Sequence, residues 1–399
     1  MSPRIVKVSS RRYHSHRLRL SSSHYTLPRE IPSSNSIRIS SRSSNRIRPI
    51  DHRLIDSTNA AKCINNINEK STVIREGNTY EHATAPLFLR WNSTGITVAG
   101  ISGVSGPAAN QLNHPWGLGF DSSYALYIAD RINNRVQKWD INASTGTTVA
   151  GQANATGGST LYHLNQPTFI QFDSSDNIYV TDVGNHRVQF WHYGARSGST
   201  ICGTGIAGNS TNQLNQPFGI ARDPITKTLY VADYENHRIM QYQWGQLSGT
   251  VVAGGNGPGT NRTQLYRPVA VHFDSSSNSL IIVNYDAHNV VRWILGASSW
   301  TLVAGSINGT SGNSSTLLSN PIGVMLDPMK NVYVIDRNNH RVQLFLTDQL
   351  NGITIAGVTG LNGSNATLLY YPYAVIFDAE LNLYVADRYN HRVQKFLRY

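Results

Sequence analysis

Five pairs of opposite charges recur along the chain, each formed by an Asp and an Arg five residues further on. The pairs are Asp130/Arg135, Asp182/Arg187, Asp233/Arg238, Asp336/Arg341 and Asp387/Arg392. Where a sixth pair is due, Asn284 and Asn289 replace both charges together. A buried pair that loses one member leaves the other charge unpaired, at a cost of about 3–5 kcal/mol, whereas the joint loss is tolerated. The joint replacement therefore predicts structural ion pairs and argues against repeated catalytic acids.

Histidines occupy the position directly before most of these Arg residues, where they invite comparison with metal ligands. They are His186, His237, His340 and His391, with His288 before Asn289 and with Asn134 at the first equivalent position. Copies of one position in different repeats need not converge on a single ion. We therefore expect each histidine to make a hydrogen bond within its own repeat, and we expect no metal or other cofactor.

The charged pairs belong to a longer repeat, which is marked by six apolar runs that begin with Pro and end with Asp. The closing residues are Asp121, Asp173, Asp223, Asp274, Asp327 and Asp378, spaced 50 to 53 residues apart. Each period contains four short runs of β-branched and aromatic residues, separated by Gly, Asn, Ser and Pro. Six such periods predict an all-β, six-bladed β-propeller with four-stranded blades.

The two ends of the repeat region are complementary. Residues 392–399 form the third strand of the last repeat, and Ile96–Gly100 has the pattern of a fourth strand with no repeat before it. We predict that this N-terminal strand completes the last blade and closes the ring, which removes an exposed sheet edge. The predicted division is a basic tail over residues 1–85 and a propeller over residues 86–399.

Four segments carry a more specific signature. Asn185-His186-Arg187, Asn236-His237-Arg238, Asn339-His340-Arg341 and Asn390-His391-Arg392, each preceded by a strand that ends in Asp, resemble the NHL repeat. The resemblance covers about residues 96–399 and implies a six-bladed propeller whose Pro-led strand is innermost.

Positions that differ between repeats are free to bind a ligand. The residue after each proline and the turn between the second and third strands should lie at the same end of every blade. They are rich in Trp, Tyr and Arg, which often anchor protein interfaces. The candidate binding residues are Trp116, Arg131, Tyr234, Arg267, Tyr285, Arg337, Tyr373, Arg388 and Tyr389. We predict a monomeric scaffold that binds a protein, a peptide or a glycan through this loop face.

The resemblance also implies two other functions. Amidating lyases and gluconolactonase-like hydrolases place a metal on the propeller axis, which requires several inward His, Asp or Glu side chains. The corresponding inner-strand positions are Gly119, Gln171, Ala221, His272, Met325 and Ile376. Because His272 is the one candidate ligand among them, we expect no catalytic residues and no enzymatic activity.

The second alternative is RNA binding, as in tripartite-motif NHL proteins. The chain's two cysteines cannot build the RING and B-box modules of those proteins. Residues 86–399 have a net charge of only +2, although Arg131, Arg337 and Arg388 keep this alternative open.

Residues 1–85 carry a net charge of +9, and residues 1–55 are rich in Ser and Arg. Such a segment buries too little surface to offset chain entropy, so we expect disorder. A transit peptide and a polyanion-binding arm remain alternatives. No secretory signal and no apolar run near the ~18 residues of a membrane span are visible.

Nine Asn-x-Ser/Thr sequons are possible glycosylation sites. They begin at Asn92, Asn142, Asn154, Asn209, Asn261, Asn308, Asn313, Asn362 and Asn365. Their density favours an extracellular protein, which conflicts with the missing signal peptide. A wrongly assigned start of the chain would reconcile the two observations, and the compartment stays open.

Overall fold

The computed structural model describes residues 89–399, so the predicted tail over residues 1–85 lies outside the described residues. The described chain forms six four-stranded antiparallel sheets. The first strand of each sheet contacts the first strands of the two neighbouring sheets, around a closed circle. The predicted six-bladed β-propeller with four-stranded blades is therefore confirmed.

The strands follow the repeats closely. Blade 1 contains β2 (Pro115–Phe120), β3 (Leu126–Asp130), β4 (Arg135–Trp139) and β5 (Thr147–Gly151), and blade 2 contains β6 (Pro167–Phe172), β7 (Ile178–Asp182), β8 (Arg187–Trp191) and β9 (Ser199–Cys202). Blade 3 contains β10 (Pro217–Arg222), β11 (Leu229–Asp233), β12 (Arg238–Tyr242) and β13 (Thr250–Gly254), and blade 4 contains β14 (Pro268–Asp274), β15 (Ser279–Asn284), β16 (Asn289–Ile294) and β17 (Thr301–Gly305). Blade 5 contains β18 (Gly323–Leu326), β19 (Val332–Asp336), β20 (Arg341–Phe345) and β21 (Gly352–Gly357), and blade 6 contains β22 (Pro372–Phe377), β23 (Leu383–Asp387), β24 (Arg392–Phe396) and β1 (Ile96–Gly100).

The N-terminal strand closes the ring as predicted. β1 pairs antiparallel with β24, from Ile96 opposite Lys395 to Gly100 opposite Arg392. Gly100 has a φ of +79°, and a Cβ at this position would lie 2.3 Å from the carbonyl oxygen of His391. Glycine is therefore required where the closing strand β1 ends beside β24.

A short segment before β1 is anchored to the same part of the ring. The Trp91 ring lies 5.7 Å from that of Phe377 and 5.8 Å from that of Tyr333. Its Nε1 donates a hydrogen bond of 2.8 Å to the carbonyl oxygen of Leu381. These contacts join the segment to blades 5 and 6.

A 3-10 turn connects the second and third strands in five blades, over Arg131–Asn133, Val183–Asn185, Tyr234–Asn236, Arg337–Asn339 and Arg388–Asn390. The residue after each turn is left-handed, with φ between 49° and 56°. These residues are the recurring Asn134 and the histidines, and Asn and His tolerate this conformation better than most side chains. Within residues 89–399 no helix has the length and apolarity needed to cross a membrane.

Candidate ligand-binding site

One end of the ring carries the turns between second and third strands together with the loops that run from each fourth strand to the next first strand. We call this end the top face. All nine candidate binding residues from the sequence lie in these turns, in these loops or at the starts of the innermost strands.

The Asp/Arg pairs hold the top-face loops in place. In all five pairs the Arg Nε lies 2.7 to 2.9 Å from the Asp Oδ2, and both side chains are buried. In blade 1, Arg135 also donates to the carbonyl oxygens of Pro107 and Ala108, and Asp130 accepts from the backbone N–H of Asn113. Each pair therefore joins the strand ends of a blade to the loop that enters it.

Burial of these carboxylates is partly offset by the hydrogen bonds that they accept. Burial raises the pKa of Asp130 to about 6, and hydrogen bonds from Asn113, Asn133 and Arg135 oppose that shift. Burial also raises the pKa of Asp182, Asp233, Asp336 and Asp387.

Blade 4 shows how the same place is filled without charge. Asn284 donates from Nδ2 to Oδ1 of Asn289 over 3.1 Å, and Asn289 donates to the carbonyl oxygen of Ser306 over 2.9 Å. Both amides are buried. The neutral pair thus reproduces the strand-to-strand link, although it contacts less of the incoming loop.

The recurring histidines link neighbouring blades. Nδ1 of His237 accepts a hydrogen bond from the backbone N–H of Arg267 in the next blade, over 3.1 Å. His186, His288, His340 and His391 accept in the same way, at 3.0 to 3.3 Å, from Gln216, Asn320, Tyr371 and His114. In blade 1 the Asn134 Oδ1 accepts from Gln166 over 2.9 Å. The prediction of hydrogen bonds within each repeat is therefore wrong, because the left-handed turn aims the side chain across the gap between blades.

The residues that follow the prolines close the top of the central channel. They are Trp116, Thr168, Phe218, Val269, Ile322 and Tyr373, and all six are buried. The indole of Trp116 lies 5.3 Å from the ring of Phe218, two blades away, and 4.2 Å from that of Tyr373 in blade 6. The small Thr168 of blade 2 leaves room for this contact across the ring. Trp116 and Tyr373, which we predicted as binding residues, are buried and form the floor of the face.

Three arginines surround this floor. The guanidinium carbons of Arg131 and Arg388 lie 4.8 Å and 5.2 Å from the Trp116 ring. The Tyr373 hydroxyl accepts hydrogen bonds from Arg388 and, over 2.8 Å, from Nε of Arg337. Arg337 also donates to the Tyr285 hydroxyl over 3.1 Å. Aromatic rings and phenol oxygens thus hold three cations close together.

Arg267, a fourth arginine of the face, is neutralised by protein groups. It lies 3.3 Å from Glu235 and 3.2 Å from Asp286, and its guanidinium carbon is 5.4 Å from the Tyr234 ring. The Tyr234 ring in turn lies 4.7 Å from that of Phe218 and 6.3 Å from that of Tyr285. The predicted residues are therefore joined in one continuous network.

Tyr389 is the most exposed member of the predicted set. Its ring lies 5.0 Å from the imidazole of His114 and 5.2 Å from the ring of Tyr371. Burial, Arg388, His391 and Arg131 lower the pKa of His114 to about 4, so this imidazole is neutral at pH 7.

Sequence reasoning missed Tyr371 and His114, which directly precede inner-strand positions. The Arg337 guanidinium carbon lies 4.6 Å from the Tyr371 ring. The sequence did contain a signal for these two residues. Arg267, which also directly precedes the proline of its repeat, was one of the predicted binding residues.

The channel below this floor has few groups for metal chemistry. His272 lies on the inner strand of blade 4, and burial lowers its pKa to about 4. Within residues 89–399, no three His, Cys, Asp or Glu side chains are grouped so that they could hold a metal ion. The described donors therefore do not match the set that an axial metal would need.

A cavity of about 560 Å³ lies elsewhere, along the outer strand of blade 1 and beside blade 2. Tyr127, Trp191 and Tyr193 line it. Its lysine, Lys138, is already paired with Asp121 at 2.9 Å. We favour the top face as the functional site because three of its arginines, Arg131, Arg337 and Arg388, lie close together around the Trp116 and Tyr373 rings.

The sequon asparagines are all exposed. Seven of the nine lie in loops between fourth and first strands, Asn92 precedes β1, and Asn142 lies between β4 and β5. The possible glycosylation sites are therefore accessible, mostly around the rim of the top face.

Known proteins resemble this chain along much of its length. The NHL repeat matches residues 164–190, 318–345 and 369–396. Protein SUPPRESSOR OF QUENCHING 1 of Arabidopsis thaliana is 24% identical over 305 residues, which cover 71% of this chain and 25% of that protein. The chain thus spans about a quarter of this relative.

Solved structures support the fold. An auxiliary nutrient binding protein of Bacteroides thetaiotaomicron superposes with a TM-score of 0.58 at 17% identity, over 76% of each chain. A gluconolactonase of Xanthomonas campestris gives a TM-score of 0.53 at 12% identity, over 79% of this chain and 99% of the other.

Enzymes occur among these relatives, which corrects one expectation. Peptidyl-glycine alpha-amidating monooxygenase B of Xenopus laevis is 36% identical over 101 residues, which cover 22% of this chain and 11% of the enzyme. The prediction that the chain is not an enzyme is therefore wrong, because the proteins that resemble this chain include enzymes as well as binding proteins.

The repeat matches, the six blades and the recurring Asn-His-Arg turns agree with one another. The chain is a six-bladed β-propeller that carries NHL repeats.

Proposed function

We propose that this propeller binds a peptide or a peptide segment of a partner protein on its top face, over the mouth of the ring. The observation that carries the proposal is the network of Tyr, Trp and Arg side chains contributed by five different blades. Tyr and Trp provide large contact areas with little loss of conformational freedom. Together with Arg, they dominate measured binding energies in interfaces.

The position of the network supports the same function. Its members belong to the variable positions of the repeat, whereas the repeated positions are used by ion pairs and links between blades. A rigid scaffold that carries variable loops is a common way of building a binding site. The similarity in fold to an auxiliary nutrient binding protein is consistent with a role in binding.

The face has a buried floor and a more exposed rim. Trp116 and Tyr373 are buried, while Tyr389 is exposed. Arg337 and Tyr285 are half-buried. We therefore assign direct contact with the ligand to Tyr389, Tyr285 and the arginines, and a supporting role to Trp116 and Tyr373.

The test is selection of binders from a synthetic random-hexapeptide library by the immobilised full chain. We expect Tyr389→Ala to weaken the selected peptides at least tenfold, which is about 1.4 kcal/mol. Tyr193→Ala is the matched control, because Tyr193 is also exposed and lies between third and fourth strands beside the 560 Å³ cavity. Loss of binding in the Tyr193 variant, with retention in the Tyr389 variant, would move the site to that cavity.

A further inference from the structure

We infer that the group bound at the centre of the top face is a carboxylate, held by Arg131, Arg337 and Arg388. This inference rests on the proposed function and identifies the chemistry that the ligand must present. Its basis is an imbalance of charge at one place in the ring.

The imbalance is visible by comparison with seven other arginines of the blades. The arginines of the five repeat pairs each contact a carboxylate, and so do Arg267 and Arg292. Among the described residues, no carboxylate forms an ion pair with the three arginines of the central group. Their partners include the rings of Trp116, Tyr371, Tyr373 and Tyr389, the hydroxyls of Tyr373 and Tyr285, and the Asn338 amide.

The three cations are also partly removed from water, since Arg131 and Arg337 are half-buried. Arg388 is 9% exposed. Burial and the nearby Arg388 lower the pKa of Arg131 to about 10. Nε of Arg131, Nε of Arg388 and Nε1 of Trp116 are buried without a hydrogen-bond acceptor in the described chain. Clustered, poorly solvated cations are unfavourable until an anion compensates them, and the free energy recovered adds to binding.

Guanidinium groups favour planar oxyanions, because two parallel N–H donors match the two oxygens of a carboxylate. The Tyr373 oxygen accepts hydrogen bonds from Arg337 and Arg388 and so holds two of the three guanidinium groups in place. The aromatic side chains of Tyr371, Tyr285 and Tyr389 lie beside these donors and would contact the apolar stem of the ligand.

A peptide carboxylate fits this site better than a nucleic acid. The cluster is compact, since Arg131 and Arg388 both lie against the single indole of Trp116. Glu235 and Asp286 lie on the same face beside Arg267 and would repel a phosphate chain. Residues 86–399 carry a net charge of only +2, whereas RNA binding usually requires a broad basic surface.

The experiment uses the full chain and the hexapeptide library in two forms, with a free C-terminal carboxylate and with a C-terminal amide. Enrichment of the free acids alone would identify a terminal carboxylate. Enrichment of Asp- or Glu-containing peptides in both forms would identify a side-chain carboxylate. Either result supports the inference if Arg131→Gln weakens binding at least tenfold.

Arg131 is the best position to change because its guanidinium donates no hydrogen bond to the described protein, so the variant should fold normally. Arg262→Gln is the matched control, since Arg262 is an exposed arginine in a loop of the same face. Equal weakening by both variants would indicate general charge attraction and overturn the inference.

Two further outcomes separate the inference from the proposed function. Enriched peptides without a carboxylate that bind equally to the Arg131 variant, yet are lost in Tyr389→Ala, would refute the carboxylate and leave peptide binding intact. Retention of single-stranded RNA, with no enrichment of either peptide form, would refute both.

Discussion

Asp233 and Arg238 show at the residue scale why the repeated charges belong to the fold. Both are buried, with 2.7 Å between Arg238 Nε and Asp233 Oδ2, and the remaining guanidinium donors contact carbonyl oxygens of the incoming loop. Removing one member of such a pair leaves the other charge buried without a partner, which lowers the stability of the fold strongly. The neutral Asn284 and Asn289 of blade 4 show that the chain tolerates replacement of both members.

We therefore expect Asp233→Asn to lower the free energy of unfolding by about 3 kcal/mol, because Arg238 loses its buried counter-charge. The double variant D233N/R238N should lose less, since it recreates the arrangement of blade 4. Chemical denaturation of both variants measures the difference. A double variant at least as unstable as the single one would show that the two charges act independently.

At the scale of elements, β1 is the strand that makes the ring continuous. It is separated from its partner β24 by nearly the whole propeller sequence, and without it the edge of β24 would be unpaired. Exposed edges of this kind favour association between chains. The stability of blade 6 thus depends on a segment from the other end of the chain.

Two truncations test this dependence. Removal of residues 1–85 should leave the thermal unfolding midpoint nearly unchanged, as expected if the propeller occupies residues 86–399. Removal of residues 1–101, which include β1, should lower the midpoint and produce oligomers in size-exclusion chromatography with light scattering. A monomer of unchanged midpoint after the longer truncation would contradict closure by β1.

At the scale of the whole molecule, the links between blades depend on neutral histidines. Burial lowers the pKa of His186, His237, His288, His340 and His391, and each Nδ1 accepts a backbone hydrogen bond, which a protonated ring cannot do. In the unfolded chain the same rings titrate near their usual pKa of about 6.5. Their contribution to stability is therefore complete above about pH 6.5 and is lost as pH falls toward the lowered folded-state values.

We predict that the unfolding midpoint falls between pH 7.5 and pH 5, and that replacing His186, His237 and His340 by Asn reduces this fall. Asn is the appropriate replacement because Asn134 makes the same link in blade 1. His192→Asn serves as the control, since His192 is exposed and forms no such link. The raised pKa of Asp130 acts in the opposite direction, so the informative quantity is the difference between variants. An unchanged pH dependence in the triple variant would refute the role of the histidines.

The candidate site was only partly predictable. Variable positions identified the end of the ring on which the Tyr, Trp and Arg network lies, because strand order alone places those turns and loops together. Burial of Trp116, Tyr373 and Arg388 was not foreseen, since it depends on a contact between Trp116 and Phe218 that spans two blades. Tyr371 was missed for a similar reason, because its role depends on contact with Arg337, which belongs to a different blade.

The amino-acid sequence by itself determined the repeat, the four strands of each blade, the Asp/Arg pairs and the closing strand. These features depend on short-range spacing and on periodicity, which are visible along the chain. Only the tertiary structure decided which residues meet across the ring, that the histidines join one blade to the next, and that three arginines share one aromatic floor. Those facts follow from ring closure, which brings together side chains more than 200 residues apart and sets their exposure and charge balance.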